Sequence, residues 1–575
     1  MKIELAKHSG FCTGVRNAVN RIVDEINNCD EDILINGPLI HSPQTVKILE
    51  KRGLKTIKAG DSIDNQIAAI RTHGTTWEEY RDINKRARKV INLTCSNVAY
   101  VHATVKKYSA KNYFTIILGD KDHAEVQGIA SYASSGFFIV SNLDDIKRIP
   151  EAEKYVLVSQ TTLDIEFFKK ASSIIRDTLK NLEIENTICT ATDDRQRDLY
   201  TAVKKGVDSI VVVGGKNSAN TKRLAQIGID NNIKTFHIET EEELVADDFA
   251  DVKHVMVSAG ASTPSWIVNN VLERLYEINY KRKKNRLYFL FKSILELFIR
   301  TNLFSALITV FMTLAVMPCR IYECGMTMPF LSASFIFIMY SINNFFRPYE
   351  MQLSKPFKYN LYSRHKYLLI ILTAIALLYY LYFSLQSSYP AFILYLVVFI
   401  CGFIYAIPSV AKIFYDTRIK PLRILFGVKS IITSLSWAFA ALIIPFSVHQ
   451  YDYLQFASIF MIIFSIIFVR NILIDLTDYQ GDLLLGIETV ITIFGLKITK
   501  IIIISISLLY IVSIFYYVIF INWLAALYLI NMIYYFYLYK NIRKNYYFYR
   551  FKYEVLIDLN LLFFAVFSIV RGLYY

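Results

Sequence analysis

The chain is poor in residues that break or staple a fold. Its 575 residues include only 21 glycines, 12 prolines and 7 cysteines, a balance that excludes collagen-like, low-complexity and disulfide-rich classes. Charged residues make up 19%, below the roughly 25% of an ordinary soluble protein. The opening MKIELAKHSGF lacks the apolar core of a signal peptide. The cysteines stand at 12, 29, 95, 189, 319, 324 and 401. An odd number without close spacing in the first half argues against a disulfide framework and leaves metal or catalytic use as the starting reading.

Apolar residues are abundant at 54%, and aromatics at 15%, but unevenly placed. Up to about Lys284 the sequence is mixed and polar; from Leu287 it becomes a series of long runs rich in Ile, Leu, Phe and Tyr. This excludes both a soluble enzyme alone and a pure transporter. The net charge of +14 gathers, in the second half, between apolar runs and not on one amphipathic face. That pattern points to membrane topology, with no nucleic-acid partner.

In the first half one local pattern recurs: a short β-branched run, a loop of small, His, Asn, Ser or Thr residues, then an amphipathic stretch. DILINGPLIHSPQTVKILEKRG, FTIILGDKDHAEVQGIASYA and SIVVVGGKNSANTKRLAQIG are examples. Strands alternating with helices predict α/β units with largely parallel sheets, whose ligand sites lie beyond the strand carboxyl ends. Each loop leads into a helix amino terminus, where free N–H groups and the helix dipole favour an anion. Several such ends converging would hold a diphosphate.

The loops carry His41, His73, His123 with Glu125, Thr161 with Thr162, Ser218 with Asn220, and Ser262. Taken singly, Ser, Thr and Asn there are ordinary helix caps. Three histidines in equivalent loops make a shared site the stronger reading.

Cys12, Cys95 and Cys189 each precede a predicted helix. Three widely spaced thiolates suit neither a closed four-ligand zinc site nor a four-cysteine ferredoxin cluster. They suit a cluster with one iron left open, or they are simply three buried thiols. Cys29, in the polar NNCDED, is the bystander.

The segments GFCTGV, GPLIHS, RTHG, LTCSNV, GDKDHAEVQG, SQTT, NTICTATDDRQ, GGKNSANTKRL and SAGASTP run in order through residues 1 to about 280. In them the chain resembles the IspH (LytB) family of 4-hydroxy-3-methylbut-2-enyl diphosphate reductases. The resemblance implies a three-lobed α/β fold around a 4Fe-4S cluster held by Cys12, Cys95 and Cys189. It implies an allylic diphosphate held by His41, His73, His123, Ser218, Asn220 and Ser262, with Glu125 as proton donor and Thr161 in the relay. An external electron donor of ferredoxin or flavodoxin type is implied as well. The sequence departs from the family at Ser42, where Asn is usual, at Ser96, where Pro is usual, and at Ala219, where a second Ser is usual. Only Ala219 removes a phosphate donor.

The basic KRKKNR, residues 281–286, begins a junction, and the expected organisation is a reductase domain over 1–280, a basic linker over 281–296 and an all-α membrane domain over 297–575. Apolar runs near 297–317, 327–346, 367–385, 389–407, 424–446, 453–475, 499–519, 521–539 and 554–574 predict nine spans of a hydrocarbon core of about 30 Å. Basic residues follow the second, fourth, sixth and eighth runs, so the positive-inside rule places the first half in the cytoplasm of a multi-pass protein in a prokaryotic inner or plasma membrane, among membrane lipid.

Asp475, Asp478 and Asp482, at spacings of three and four, share a helical face at the end of the sixth run. Such a cluster is costly at a membrane boundary unless a cation offsets the repulsion; the alternative is a solvated acidic loop. The segment resembles the second aspartate-rich motif of the UbiA prenyltransferases, which implies Mg2+ bridging these aspartates to a polyprenyl diphosphate. YDTRIKPLR, with Tyr415, Arg418 and Lys420, resembles that family's basic segment. Where the first aspartate-rich motif is expected, Asn344 and Arg347 replace carboxylates and Glu350 is the acid nearby. A noncatalytic anchor or lipid-binding module is therefore the rival reading of this half, alongside prenyl transfer to a membrane acceptor.

Overall fold

The computed structural model describes residues 1–58, 61–282, 286–317, 325–348, 351–352, 355–406, 429–446, 452–520, 523–544 and 550–574. They form two compact units, Met1–Arg282 and Lys283–Tyr575.

The first unit is α/β, with three four-stranded sheets. The first sheet orders β1 (Lys2–Leu5), β12 (His254–Ala259), β10 (Ser209–Val213) and β11 (Lys234–Ile238). The second orders β3 (Leu54–Ile57), β2 (Ile33–Asn36), β4 (Ile67–Ile70) and β5 (Lys89–Asn92). The third orders β7 (Phe137–Val140), β6 (Phe114–Leu118), β8 (Tyr155–Ser159) and β9 (Leu182–Ile184). Every pairing is parallel. Strands covered on both faces read as continuous apolar runs: IAAI of β4 and SIVVV of β10 are wholly buried.

The helices are α1 (Thr13–Asn27), α2 (Pro43–Glu50), α3 (Trp77–Arg86), α4 (Ser96–Ser109), α5 (Ala124–Ser131), α6 (Ile165–Thr178), α7 (Thr190–Lys204), α8 (Ala219–Asp230) and α9 (Ser265–Arg282). Three of them carry the chain from sheet to sheet. α1 leads from the first to the second, α4 from the second to the third, and α7 from the third back to the first. α4 and α7 dock on the sheets they lead to. Val101 and Val105 of α4 pack with Ile117, Val156 and Val158, and Leu199 and Ala202 of α7 pack with Ile210 and Val212. The chain thus makes one circuit of three lobes.

The second unit is helical throughout its described residues. The helix Thr327–Phe346 coincides with its apolar run, and Lys366–Leu385, Tyr389–Ala406 and Lys429–Phe446 lie within a few residues of theirs. Two expectations are corrected. The first run is bent by 73° between Leu290–Arg300 and Leu303–Val316, where Asn302 adopts a left-handed φ of 63°. The last run divides into Arg550–Leu559 and Leu562–Tyr574. The sixth extends past its run, unbroken, as Tyr453–Leu485, so the three aspartates share one helix as their spacing predicts. Among the described residues four helices are long and apolar enough to cross a membrane, or five if the bent pair is one span.

Large apolar residues at 501, 504, 508, 512, 515 and 519 of the helix Val490–Phe520 are exposed at helical spacing. An apolar stripe of that length marks a surface that meets another protein or a membrane. Inward-facing tyrosines satisfy their hydroxyls on backbone carbonyls, Tyr380 on Tyr395 O at 2.9 Å and Tyr510 on Tyr528 O at 2.7 Å, as burial of a phenol requires.

Candidate active site

Each lobe contributes one cysteine at the amino terminus of the helix that leaves it. Cys12 caps α1, Cys95 caps α4 and Cys189 caps α7. Their backbone amides are tied to the loop after the neighbouring strand in the same sheet: Cys12 N–H to Ala261 O at 3.0 Å, Cys95 N–H to Thr72 O at 3.0 Å, and Cys189 N–H to Thr161 O at 2.9 Å. Those acceptors adjoin or are themselves site candidates, since Ala261 precedes Ser262 and Thr72 precedes His73.

All three thiols are free. A Cβ on Gly14 would fall 2.5 Å from Cys95 Sγ and 3.9 Å from Cys12 Sγ, so the glycine keeps open the space between two lobes' thiols. Among the described residues no group of three or more His, Cys, Asp or Glu converges as a single bound ion requires. A polynuclear cluster takes each thiolate on a different iron, and this soft donor set, spread over three lobes and opened by Gly14, fits it. Burial pushes the Cys95 thiol up, opposed by the backbone amides of Asn97 and Val98. Cys29 sits apart on the loop between α1 and β2, where its sulfur accepts the Glu31 N–H at 3.4 Å. Cys319 and Cys324 lie outside the described residues.

The three histidines meet. Ring centroids of His41 and His73 are 4.3 Å apart, and His123 lies 6.2 Å from the first and 6.1 Å from the second. Burial is the main cause that lowers all three, His41 to about 4 and His73 well below its ordinary value. The Arg71 guanidinium adds to the lowering at each, and the Lys222 ammonium at His41 and His123. The result is a neutral, electropositive pocket prepared for an anion. His123 Nδ1 accepts the Glu125 N–H at 3.2 Å, so the neutral ring carries its proton on Nε2 and donates from there.

Glu125, in the first turn of α5, is 1% exposed. Its Oε1 accepts the Thr161 N–H at 2.6 Å. Burial raises its carboxyl to about 7, and hydrogen bonds from the Thr161 backbone and side chain hold that rise back. Such an acid is partly protonated at neutral pH, as a proton donor should be.

Ser218 caps α8 by accepting the Thr221 N–H at 3.4 Å, which leaves its own hydroxyl proton to donate. Asn220 is 4% exposed, and both polar atoms of its amide are buried without a hydrogen-bond partner. An orphaned amide of this kind costs stability unless a ligand satisfies it. Ser262 donates its hydroxyl to His41 O at 3.1 Å, crossing from the first lobe to the second. Thr162 Oγ1 accepts from Gln160 Nε2 at 2.9 Å and belongs to the loop's own framework. Ser42 likewise pairs with Thr45 Oγ1 at 2.9 Å inside the protein.

The structure adds three residues that the sequence reading passed over. Arg71 and Lys222 supply positive charge at the histidines, and Arg195 reaches Gly10 O beside Cys12 and Ala191 O beside Cys189, each at 2.5 Å. All lie inside or beside the motif strings, at RTHG, ANTKRL and DDRQ. A lone cation in such a string has many uses, and only the folded positions select this one.

In the second unit Asp475, Asp478 and Asp482 are buried on one helix. Asp475 accepts the Ser430 hydroxyl at 2.6 Å and has Lys429 at 3.5 Å. Asp478 is paired with Lys355 at 2.7 Å and with Arg550. The counter-charge assigned from sequence to Mg2+ is thus supplied for these two by the protein's own cations. Asn344 donates to the Tyr362 hydroxyl at 2.7 Å, and Arg347 keeps a buried Nε without a partner. Glu350, Tyr415, Arg418 and Lys420 lie outside the described residues.

A family model described as LytB protein matches residues 3–276. The chain is 40% identical over 286 residues to the 4-hydroxy-3-methylbut-2-enyl diphosphate reductase of Geobacter sulfurreducens, covering 49% of this chain and 100% of that one. It is 38% identical over 279 residues to the reductase of the same name from Aquifex aeolicus, covering 48% and 96%. A solved structure of (E)-4-hydroxy-3-methyl-but-2-enyl diphosphate reductase, the terminal enzyme of the non-mevalonate pathway, aligns at 37% identity with a TM-score of 0.39, covering 48% of this chain and all of its own. The Plasmodium falciparum reductase structure aligns at 26% identity with a TM-score of 0.45, covering 48% of this chain and 87% of its own. With whole relatives matched at this identity, the chain belongs, through its first half, to the LytB family of 4-hydroxy-3-methylbut-2-enyl diphosphate reductases.

Proposed function

We propose that Met1–Arg282 reduces 4-hydroxy-3-methylbut-2-enyl diphosphate to isopentenyl and dimethylallyl diphosphate, two electrons and two protons removing the C4 hydroxyl as water. The observation that carries this reading is the buried carboxyl of Glu125 set beside three clustered histidines. Cys12, Cys95 and Cys189 would hold a 4Fe-4S cluster, which supplies electrons, received from a ferredoxin- or flavodoxin-type donor, and Lewis acidity at its open iron. His41, His73 and His123, with Ser218 and Asn220, donate to the diphosphate oxygens, and Arg71 and Lys222 add field strength. Ser262 orients the His41 backbone and lies within the same ring of groups. Glu125 gives a proton to the departing hydroxyl, and Thr161 fixes and relays to its carboxyl. Burial of Glu125 and the histidines keeps bulk water from competing for that proton. Anaerobic purification, iron and sulfide analysis and a reductase assay with a reduced donor test this reading. A cluster-loaded protein that converts no substrate would refute it.

For the second unit we infer a membrane anchor that holds the reductase at the lipid surface of a prokaryotic inner or plasma membrane. The commitment of Asp475 and Asp478 to Lys429, Lys355 and Arg550 supports an anchor over a Mg2+-dependent prenyltransferase of the UbiA type. Prenyl transfer from a labelled polyprenyl diphosphate to a membrane acceptor, lost in Asp478→Asn and in Arg347→Ala, would reverse that preference.

A further inference from the structure

The three cysteine sulfurs are not served alike. Cys12 Sγ accepts the Val15 N–H of its own helix at 3.4 Å. Cys189 Sγ takes no such bond from α7. Its donor comes from another lobe: Asn97 Nδ2, in the first turn of α4, lies 2.8 Å from Cys189 Sγ. The amide has one sensible orientation there, because a thiolate only accepts and would repel the Oδ1 lone pairs. Asn97 also stands two residues after Cys95, and its backbone amide faces that thiol. One residue therefore addresses the sulfurs of two lobes.

We propose that Asn97 tunes the redox potential of the cluster by donating its side-chain amide to the sulfur of Cys189. The inference rests on the reading of Cys12, Cys95 and Cys189 as cluster ligands. A hydrogen bond to a ligating sulfur draws electron density from it and stabilises the more negative, reduced form, so it raises the potential. The side chain of Asn97 is exposed, and water competes for the amide, so the effect is moderate. Asn97 is a positioning and tuning residue, without contact to the reacting carbon.

The test uses the full chain, purified anaerobically as the holoenzyme. Iron and sulfide are counted first, and the midpoint potential is then measured by EPR-monitored titration for wild type, Asn97→Leu and Asn97→Gln. Equal iron content is expected, with the leucine variant shifted to lower potential by roughly three- to tenfold in the one-electron equilibrium, tenfold being about 59 mV. The glutamine variant, which keeps a donor on a longer arm, should lie between. A loaded leucine variant with an unchanged or higher potential overturns the role of Asn97 and leaves the cluster reading standing. Wild-type protein without iron overturns both. If Asn97→Leu and Asn97→Ala fold with normal apo-protein melting yet hold no cluster, the residue serves assembly and the tuning role is refuted.

Discussion

The Thr161 N–H donates to Glu125 Oε1 at 2.6 Å, joining the loop after β8 to the first turn of α5. The same Thr161 accepts the Cys189 N–H through its carbonyl at 2.9 Å. One residue therefore connects the acid to a cysteine-bearing helix.

Replacing Glu125 by Gln keeps the shape and removes the acid. Turnover should fall by roughly 100-fold or more with iron content and substrate affinity little changed. Wild-type turnover should decline as pH rises through about 7, where the carboxyl loses its proton. Steady-state kinetics across pH 6 to 8.5 check both, and near-normal turnover in the variant would place the proton source elsewhere.

The same carboxyl links pH to stability. Its folded value is raised from 4.5 to about 7 by burial, so the folded state holds the proton more tightly than the unfolded chain. The contribution is fully present below 4.5 and is lost as pH rises through 7, amounting to roughly 3 kcal/mol at most. Denaturant melts of the apo first half should show wild type losing stability relative to Glu125→Gln over that window. A constant difference would contradict the burial account.

Diphosphate binding should take up protons. His41, His73 and His123 are held below the ordinary imidazole value by burial first, and then by the neighbouring rings at His41 and His73, by Arg71 and, at His41 and His123, by Lys222. An anion against the rings favours the charged forms of His41 and His73 and raises them, while His123, whose Nδ1 accepts the Glu125 N–H, stays neutral and donates from Nε2. Affinity for the substrate, or for inorganic diphosphate as a probe, should tighten as pH falls from 8 to 6. Calorimetry in buffers of differing ionisation enthalpy measures the uptake directly, and binding without proton uptake would show that the rings stay neutral.

Cys12→Ser, Cys95→Ser and Cys189→Ser should each abolish the brown chromophore, while Cys29→Ser should leave it intact. Full iron content in Cys95→Ser would sink the assignment. In the same site Ala219→Ser should tighten substrate binding by about 1 kcal/mol, the worth of one restored hydrogen bond.

In the second unit, Asp478→Asn leaves Lys355 and Arg550 without their shared carboxylate. Removing one partner of a buried ion pair costs on the order of 3–5 kcal/mol, so thermal stability in detergent should drop whether or not Mg2+ is present, with reductase activity retained. Mg2+ rescue of wild-type stability, with prenyl transfer, would favour the enzyme reading.

Periodicity and loop chemistry in the sequence alone determined the α/β class of the first half, its strand-to-helix loops and the residues they carry. That follows because a buried parallel strand must be apolar on both faces and the loop beyond it must be polar, a constraint written locally at IAAI before RTHG and SIVVV before GGKNSAN. Apolar runs likewise placed most helices of the second half. What spacing did not contain is which distant loops meet. The circuit of three sheets, the placing of Cys12, Cys95 and Cys189 on its three crossing helices, and the bond from Asn97 to Cys189 join residues up to 252 apart along the chain and exist only once the lobes close. The helix breaks at Asn302 and between Leu559 and Leu562 were hidden too, because an apolar run measures hydrophobic length and says nothing of a bend within it. The partners of Asp475 and Asp478 come from three other helix segments, and only the packed bundle could show that their charge is balanced from within.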